Sequence, residues 1–234
     1  MSFDTSGPID AVALGAARQF LDGLPDVPAG SIDRIYLHWV VAPFHHEFAD
    51  YNAEIDLDDA GQHWKMIVTH DPRDNARNVN NNPVASHTYR RNTGAVGIAV
   101  AGMDDATFKD FGPDPIQMHE LEFLCACAAA FAQKYDVQAD APAPMMYPGE
   151  GRPDRERTIM THAEAALTTP SDDNKGNHFT HYYCFKAGSD PDCRWDLAAT
   201  NPQSAAPTED QAFATGEQLR QRIRQYKVAL QNGA

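Results

Sequence analysis

Residues 35–41 read IYLHWVV, an almost continuous run of aliphatic and aromatic side chains, short and rich in β-formers, as expected of a strand packed inside a sheet. One residue interrupts it. His38 puts an imidazole where the pattern asks for hydrocarbon, and a buried polar group without a partner costs about 1–3 kcal/mol. The fold must therefore give His38 either a hydrogen-bond partner or a metal ion, and the run by itself leaves both open.

The rest of the chain supplies elements for such a strand to join. IDAVALGAARQFLD, residues 9–22, repeats its apolar positions at helical spacing and stops at a Gly/Pro-rich stretch. A strand over 34–41 follows. YNAEIDL and QHWKMIVT flank DDAG and predict a hairpin, whereas HDPRDNARNVNNNP predicts an irregular polar excursion at the surface. GAVGIAVAG predicts a strand of small residues. A long helix is expected next, with Asp114 as its cap, Pro115 in its first turn, and a stripe through Ile116, Leu121, Leu124, Ala128, Phe131 and Tyr135. TIMTH predicts a strand ending in His162, residues 168–193 a long polar loop, and residues 208–230 an amphipathic helix. In that last helix Thr208 and Gln211 fit a capping box, and Leu219, Ile223, Tyr226 and Leu230 form one stripe. Strands interspersed with helices make the class α/β or α+β.

With 234 residues the chain suits one compact domain with appendages. The divisions expected are an N-terminal helical extension over 1–30, a central domain over 31–200 and a C-terminal helix over 201–234. A formal net charge of −14 argues against general nucleic-acid binding, which draws its affinity from lysine and arginine on phosphates. No apolar run approaches the roughly 20 residues that span a bilayer. The first residues lack a basic stretch followed by an apolar core, so synthesis in the cytoplasm without a signal peptide is the expectation. Four cysteines at irregular spacing predict no disulfide framework.

Among ten histidines, His38 and His162 stand apart because a strand delivers each of them. His45 and His46 are adjacent and poorly placed to share one ion; His178 and His181 flank an aromatic loop and fit either packing or substrate contact. CRWDLAA, residues 193–199, adds Asp196. Two imidazoles and one carboxylate with an open position form a catalytic zinc set, provided the fold brings residues so distant in sequence together. Asp190, Asp192 and Cys193 are alternatives for the third ligand.

In order, IYLHWV, YNAEIDLDDAG, ASHTYRRNTGAVGIAVAG, THAEAAL and RWDL resemble the N-acetylmuramoyl-L-alanine amidases of the peptidoglycan recognition protein fold, phage lysis enzymes included. The resemblance covers residues 31–199. It implies a mixed central sheet flanked by helices and one zinc ion per chain held by His38, His162 and Asp196. It implies a peptidoglycan or muropeptide substrate, cut between N-acetylmuramic acid and L-alanine, with the chain acting on the cell wall as a phage or prophage endolysin released through a membrane lesion. A recognition module without turnover and a cytoplasmic muropeptide-recycling amidase are the alternatives.

The resemblance also implies roles for other residues. Tyr51 holds or orients the attacking water, and Arg194, two positions before Asp196, stabilises the developing oxyanion without acting as an acid. His87 and Asn92 border the substrate groove, and Glu164 stands behind the metal site. The glutamate that some relatives carry in the Gly-Ile-Glu strand is missing, because GIAVAG has Ala99 and Ala101 there. Arg90 and Arg91 read as solvated loop residues, with pairing to peptide carboxylates as the functional alternative. Trp39 reads as packing.

Overall fold

β1 (Arg34–Trp39) is the strand predicted from the apolar run, and every one of its residues is buried. The structure, a computed structural model, describes residues 3–79, 84–88, 91–143, 154–168 and 195–233. β1 is one of five strands in a mixed sheet. β2 (Ala53–Leu57) and β3 (Trp64–Val68) form the antiparallel hairpin expected around the Asp/Gly turn. β4 (Ala95–Val100) runs parallel to both β1 and β2, and β5 (Ile159–Thr161) runs parallel to β1 on its other side. The order across the sheet is β3-β2-β4-β1-β5. β4 and β1 are thus interior strands covered on both faces, the reason both read as nearly unbroken apolar runs.

Alternation along β1 sends successive side chains to opposite faces. Ile35, Leu37 and Trp39 join Ile55, Val96, Ile98 and Val100 in the main core. That face is covered by α3 (Met118–Lys134), which packs against both α1 (Ala11–Gly23) and α5 (Glu209–Gln231). Tyr36, His38 and Val40 point the other way, where Met160, Ala165, Ala99, Phe48 and Tyr51 gather. The candidate site lies on this second face. It is completed by α4 (His162–Thr168), which continues directly from β5.

Helix ends follow local chemistry. The Asp10 carboxylate caps α1 by accepting from the Val12 and Ala13 amides, and Thr208 and Gln211 form the expected box at the start of α5. Leu219, Ile223, Tyr226 and Leu230 are all buried, so the C-terminal stripe packs back on the protein. Two expectations need correction. α3 begins at Met118 and not beside Asp114, because the Asp114 carbonyl accepts from Met103 N in a turn while Glu120 accepts the Gln117 amide at 3.1 Å. The polar excursion after β3 contains the one-turn helix α2 (Pro72–Asn75), whose Asn75 is fully buried. No helix among the described residues is long and apolar enough to cross a membrane.

Candidate metal centre

The pairing of β1 with β5 builds the site. Leu37 stands opposite Thr161 in the parallel register, so the next residue on each chain segment, His38 and His162, meet side by side. Their ring centroids are 4.5 Å apart, and their Nδ1 atoms approach to 2.9 Å. Asp196 Oδ2 completes a triangle, 3.1 Å from His162 Nδ1 and 3.5 Å from His38 Nδ1. All three residues are buried. Three electron-pair donors converging in a low-dielectric place require a proton or a cation between them. Bonds of about 2.0–2.2 Å at tetrahedral angles set ligand atoms roughly 3.3–3.6 Å apart, so the triangle would accept a zinc-like ion after its two shorter edges, 2.9 and 3.1 Å, widen by a few tenths of an ångström. Among the described residues this is the group of histidine, cysteine and acidic side chains able to hold a metal.

Each ligand is positioned by the local fold. His162 is the first residue of α4, and the turn before it closes on itself: Glu164 N donates to Thr161 Oγ1 at 3.1 Å while Thr161 N donates to Glu164 Oε2 at 3.0 Å. This reciprocal capping box was legible as T-H-A-E but was not read from the sequence. Glu164 is fully buried, and the same Oε2 accepts from Arg220 Nη1 of α5 at 2.9 Å. Burial raises the Glu164 carboxyl, while the charge and hydrogen bond of Arg220 oppose the rise. Glu164 therefore holds the helix start that carries His162.

Asp196 sits on a short turn anchored by Trp195, whose ring meets Trp39 and Phe108 with centroids 4.5 Å away in each case. Its own carbonyl accepts from Ala163 N at 3.1 Å, tying the turn to α4. Leu197 follows in the left-handed region at φ 59°, which costs a non-glycine residue about 1–2 kcal/mol and is offset by complete burial of its side chain. Thr215 of α5 donates to the Ala198 carbonyl at 3.1 Å. Burial by itself would raise the Asp196 carboxyl, but the charges and hydrogen bonds of His162 and His38 hold it well below the usual carboxylate range. The C-terminal helix thus braces the segments that carry two of the three ligands.

The other predicted residues fall into distinct places. Tyr51 lies two residues before β2, with its ring centroid 5.1 Å from that of His38 and its hydroxyl 3.5 Å from the Trp39 carbonyl oxygen. His87 is corrected from groove border to buried neighbour of His38: it is 5% exposed, and the two ring centroids are 5.5 Å apart. Burial lowers its pKa well below the histidine norm, with His38 and His162 adding to the effect. Asn92 is half-buried, and its side-chain oxygen accepts from Thr88 N at 2.8 Å, so that amide is spent on holding a turn. Arg91 is not solvated; it is buried in an ion pair with Glu156. Arg194, the expected oxyanion stabiliser, lies outside the described residues, as do Arg90, His178, His181, Asp190, Asp192 and Cys193.

Two contributors escaped the sequence reading. The Asn75 side-chain oxygen accepts from Asn52 Nδ2 and from Ala85 N, and its Nδ2 donates to the carbonyls of Ala85 and Asn92, so it fastens the segment that carries His87 and Thr88. Glu54 stands in one row with His38 and Ala99, since both pair in register with Ala99 of β4. It is fully buried; Oε2 accepts from Phe48 N at 3.0 Å, and Oε1 has no hydrogen-bond partner among the described residues. Comparison with protein-family models, with curated proteins and with solved structures found no significant match to this chain.

Proposed function

We propose that this chain is a zinc-dependent N-acetylmuramoyl-L-alanine amidase of the peptidoglycan recognition protein type. The observation that carries the reading is the buried triangle of His38 Nδ1, His162 Nδ1 and Asp196 Oδ2, with edges of 2.9–3.5 Å. Its support in the sequence is the ordered set of motifs from IYLHWV to RWDL, on which the two histidines and the aspartate occupy the ligand positions. A mixed sheet with helices on its faces agrees with that reading at the level of class.

His38, His162 and Asp196 would hold the ion. When bound there, zinc supplies an activated water at neutral pH and polarises the scissile carbonyl. The chain's own residues do the rest. His38 and His162 would offer the ion the lone pairs of imidazole nitrogens held on rigid backbone. Asp196 contributes the negative charge that keeps a divalent cation in a buried place. Tyr51, with its ring against His38, orients the water by its hydroxyl; a phenol with a pKa near 10 is a hydrogen-bonding group at neutral pH and a poor base. Arg194 is assigned the oxyanion from the sequence motif alone.

The test is turnover of purified peptidoglycan, followed as new L-alanine amino termini, by the wild type and by His162→Ala, with zinc measured in the same preparations. About one zinc per wild-type chain together with cleavage, both lost in His162→Ala, is the expected result. Zinc with binding of peptidoglycan but no new amino termini would replace the enzyme by a recognition module. No zinc in the wild type would overturn the reading.

A further inference from the structure

We propose that Thr88 and His87 form a positioning relay behind the metal centre, fixing the tautomer and the ring orientation of His38. The inference rests on the metal reading of the site and goes beyond it to residues that touch neither ion nor substrate. Thr88 Oγ1 stands 3.3 Å from His38 Nε2 and 3.0 Å from His87 Nδ1, and all three side chains are buried. One hydroxyl thus bridges two imidazoles on the side of His38 away from the ligand triangle.

The direction of the bonds follows from the metal. A ligating Nδ1 needs its lone pair, so the proton of neutral His38 belongs on Nε2 and is donated to Thr88 Oγ1. The threonine hydroxyl then has its own proton to give, and His87 Nδ1 is the acceptor. That places the His87 proton on Nε2. A histidine that ligates a metal commonly donates its other ring nitrogen to an acceptor that sets its orientation, and losing such an acceptor costs about 10–100-fold in metal affinity.

The surrounding structure holds the relay still. The Thr88 amide is anchored on Asn92 Oδ1 and its carbonyl accepts from Arg91 N, while Asn75 clamps Ala85 three residues earlier. The His87 ring lies against Gly97 of β4, where a Cβ would stand 2.3 Å from its Cγ. A side chain at that position would expel the ring, so the glycine is the space that His87 occupies.

The experiment compares zinc affinity of the wild type, Thr88→Val and Thr88→Ser by competition with a chromogenic chelator. A parallel measurement follows exchange of the His38 Nε2 proton in the zinc-loaded wild type by 15N NMR. Valine keeps the shape and removes the hydroxyl; serine keeps the hydroxyl. The expected result is an affinity about 10–100-fold weaker for Thr88→Val, affinity near wild type for Thr88→Ser, and a His38 Nε2 proton held against exchange in the zinc-loaded wild type. Equal affinity in Thr88→Val and wild type would overturn the relay and leave the metal reading intact. If Thr88→Val does not fold, a His38 Nε2 proton that exchanges freely with water in the zinc-loaded wild type would overturn the relay by itself. A wild type that takes up no zinc would overturn the metal reading and the relay with it.

Discussion

The Glu164 carboxylate fills the space that a side chain at Gly216 would need: a Cβ built on Gly216 would stand 2.1 Å from Glu164 Oε2. The absence of that one carbon lets α5 approach α4 closely enough for Arg220 to reach Glu164, and Glu164 in turn closes the cap that presents His162. The neighbour in this contact is a buried, ion-paired carboxylate that cannot swing into solvent. Gly216→Ala is therefore expected to destabilise the protein by about 1–3 kcal/mol, the usual cost of overpacking, and to weaken zinc binding as well. Denaturant unfolding and a zinc titration of the same variant check it; an unchanged unfolding midpoint would show that the two helices can part at no cost.

Zinc should stabilise the folded chain, since the unfolded chain does not bring the three ligands together. At free zinc about a hundredfold above its dissociation constant, the gain is about 2.7 kcal/mol. Thermal unfolding with and without a chelator should reveal it as a lower midpoint in the chelated sample. The difference should vanish in Asp196→Asn and in His38→Ala, whose metal-free forms have no site to lose. A chelator-dependent shift that survives in both variants would place the ion elsewhere.

Tyr51→Phe removes a hydroxyl and leaves the ring against His38. On the amidase reading, zinc content should stay at the wild-type value while turnover of peptidoglycan falls by about a hundredfold, the order of effect of a group that positions a proton in the transition state. The check is an initial-rate assay on metal-quantified protein. Wild-type rates in the variant would leave Tyr51 a packing role only.

Glu54 should make stability depend on pH in the direction opposite to most carboxylates. Burial first, with Asp56 and Glu47 adding to it against the Phe48 amide, pushes its carboxyl up from 4.5 to about 7. Between those values the folded chain holds a proton that the unfolded chain has released. Stability from this group is thus greatest below the unfolded value and is lost as pH rises through about 7. Glu54→Gln abolishes the ionisation and keeps an acceptor for Phe48. It should be more stable than wild type at pH 8, by something on the order of 2 kcal/mol, and no more stable near pH 4.5. Unfolding curves at the two pH values decide this, and an equal effect at both would mean that folding does not raise the Glu54 carboxyl.

What local physics dictates was readable in the sequence. The apolar run around His38, the hairpin at the Asp/Gly turn, the small-residue strand β4 and the capping box at Thr208 depend on neighbours a few residues away, and each lies where expected. The two strand-end histidines were readable for the same reason, since a lone imidazole in an apolar strand needs a partner. Asn75 and His87 were not: both belong to polar stretches whose composition says surface, yet amide bonds from three other segments satisfy Asn75, and the His87 ring fills the space left by Gly97 with Thr88 bonded to its Nδ1. Arg91 looked solvated because its partner Glu156 is 65 residues away.

The sequence by itself determined which side chains were available for a metal site, and it set the class of fold by alternating strands with amphipathic helices. Tertiary structure decided the register of β1 against β5, which puts His38 beside His162, and the turn that brings Asp196 to both. It also decided that the C-terminal helix, whose stripe asked for an apolar partner, would brace His162 through Arg220 and the Asp196 turn through Thr215. Strand register and helix docking are set by contacts between residues far apart in the chain, and no local pattern encodes them.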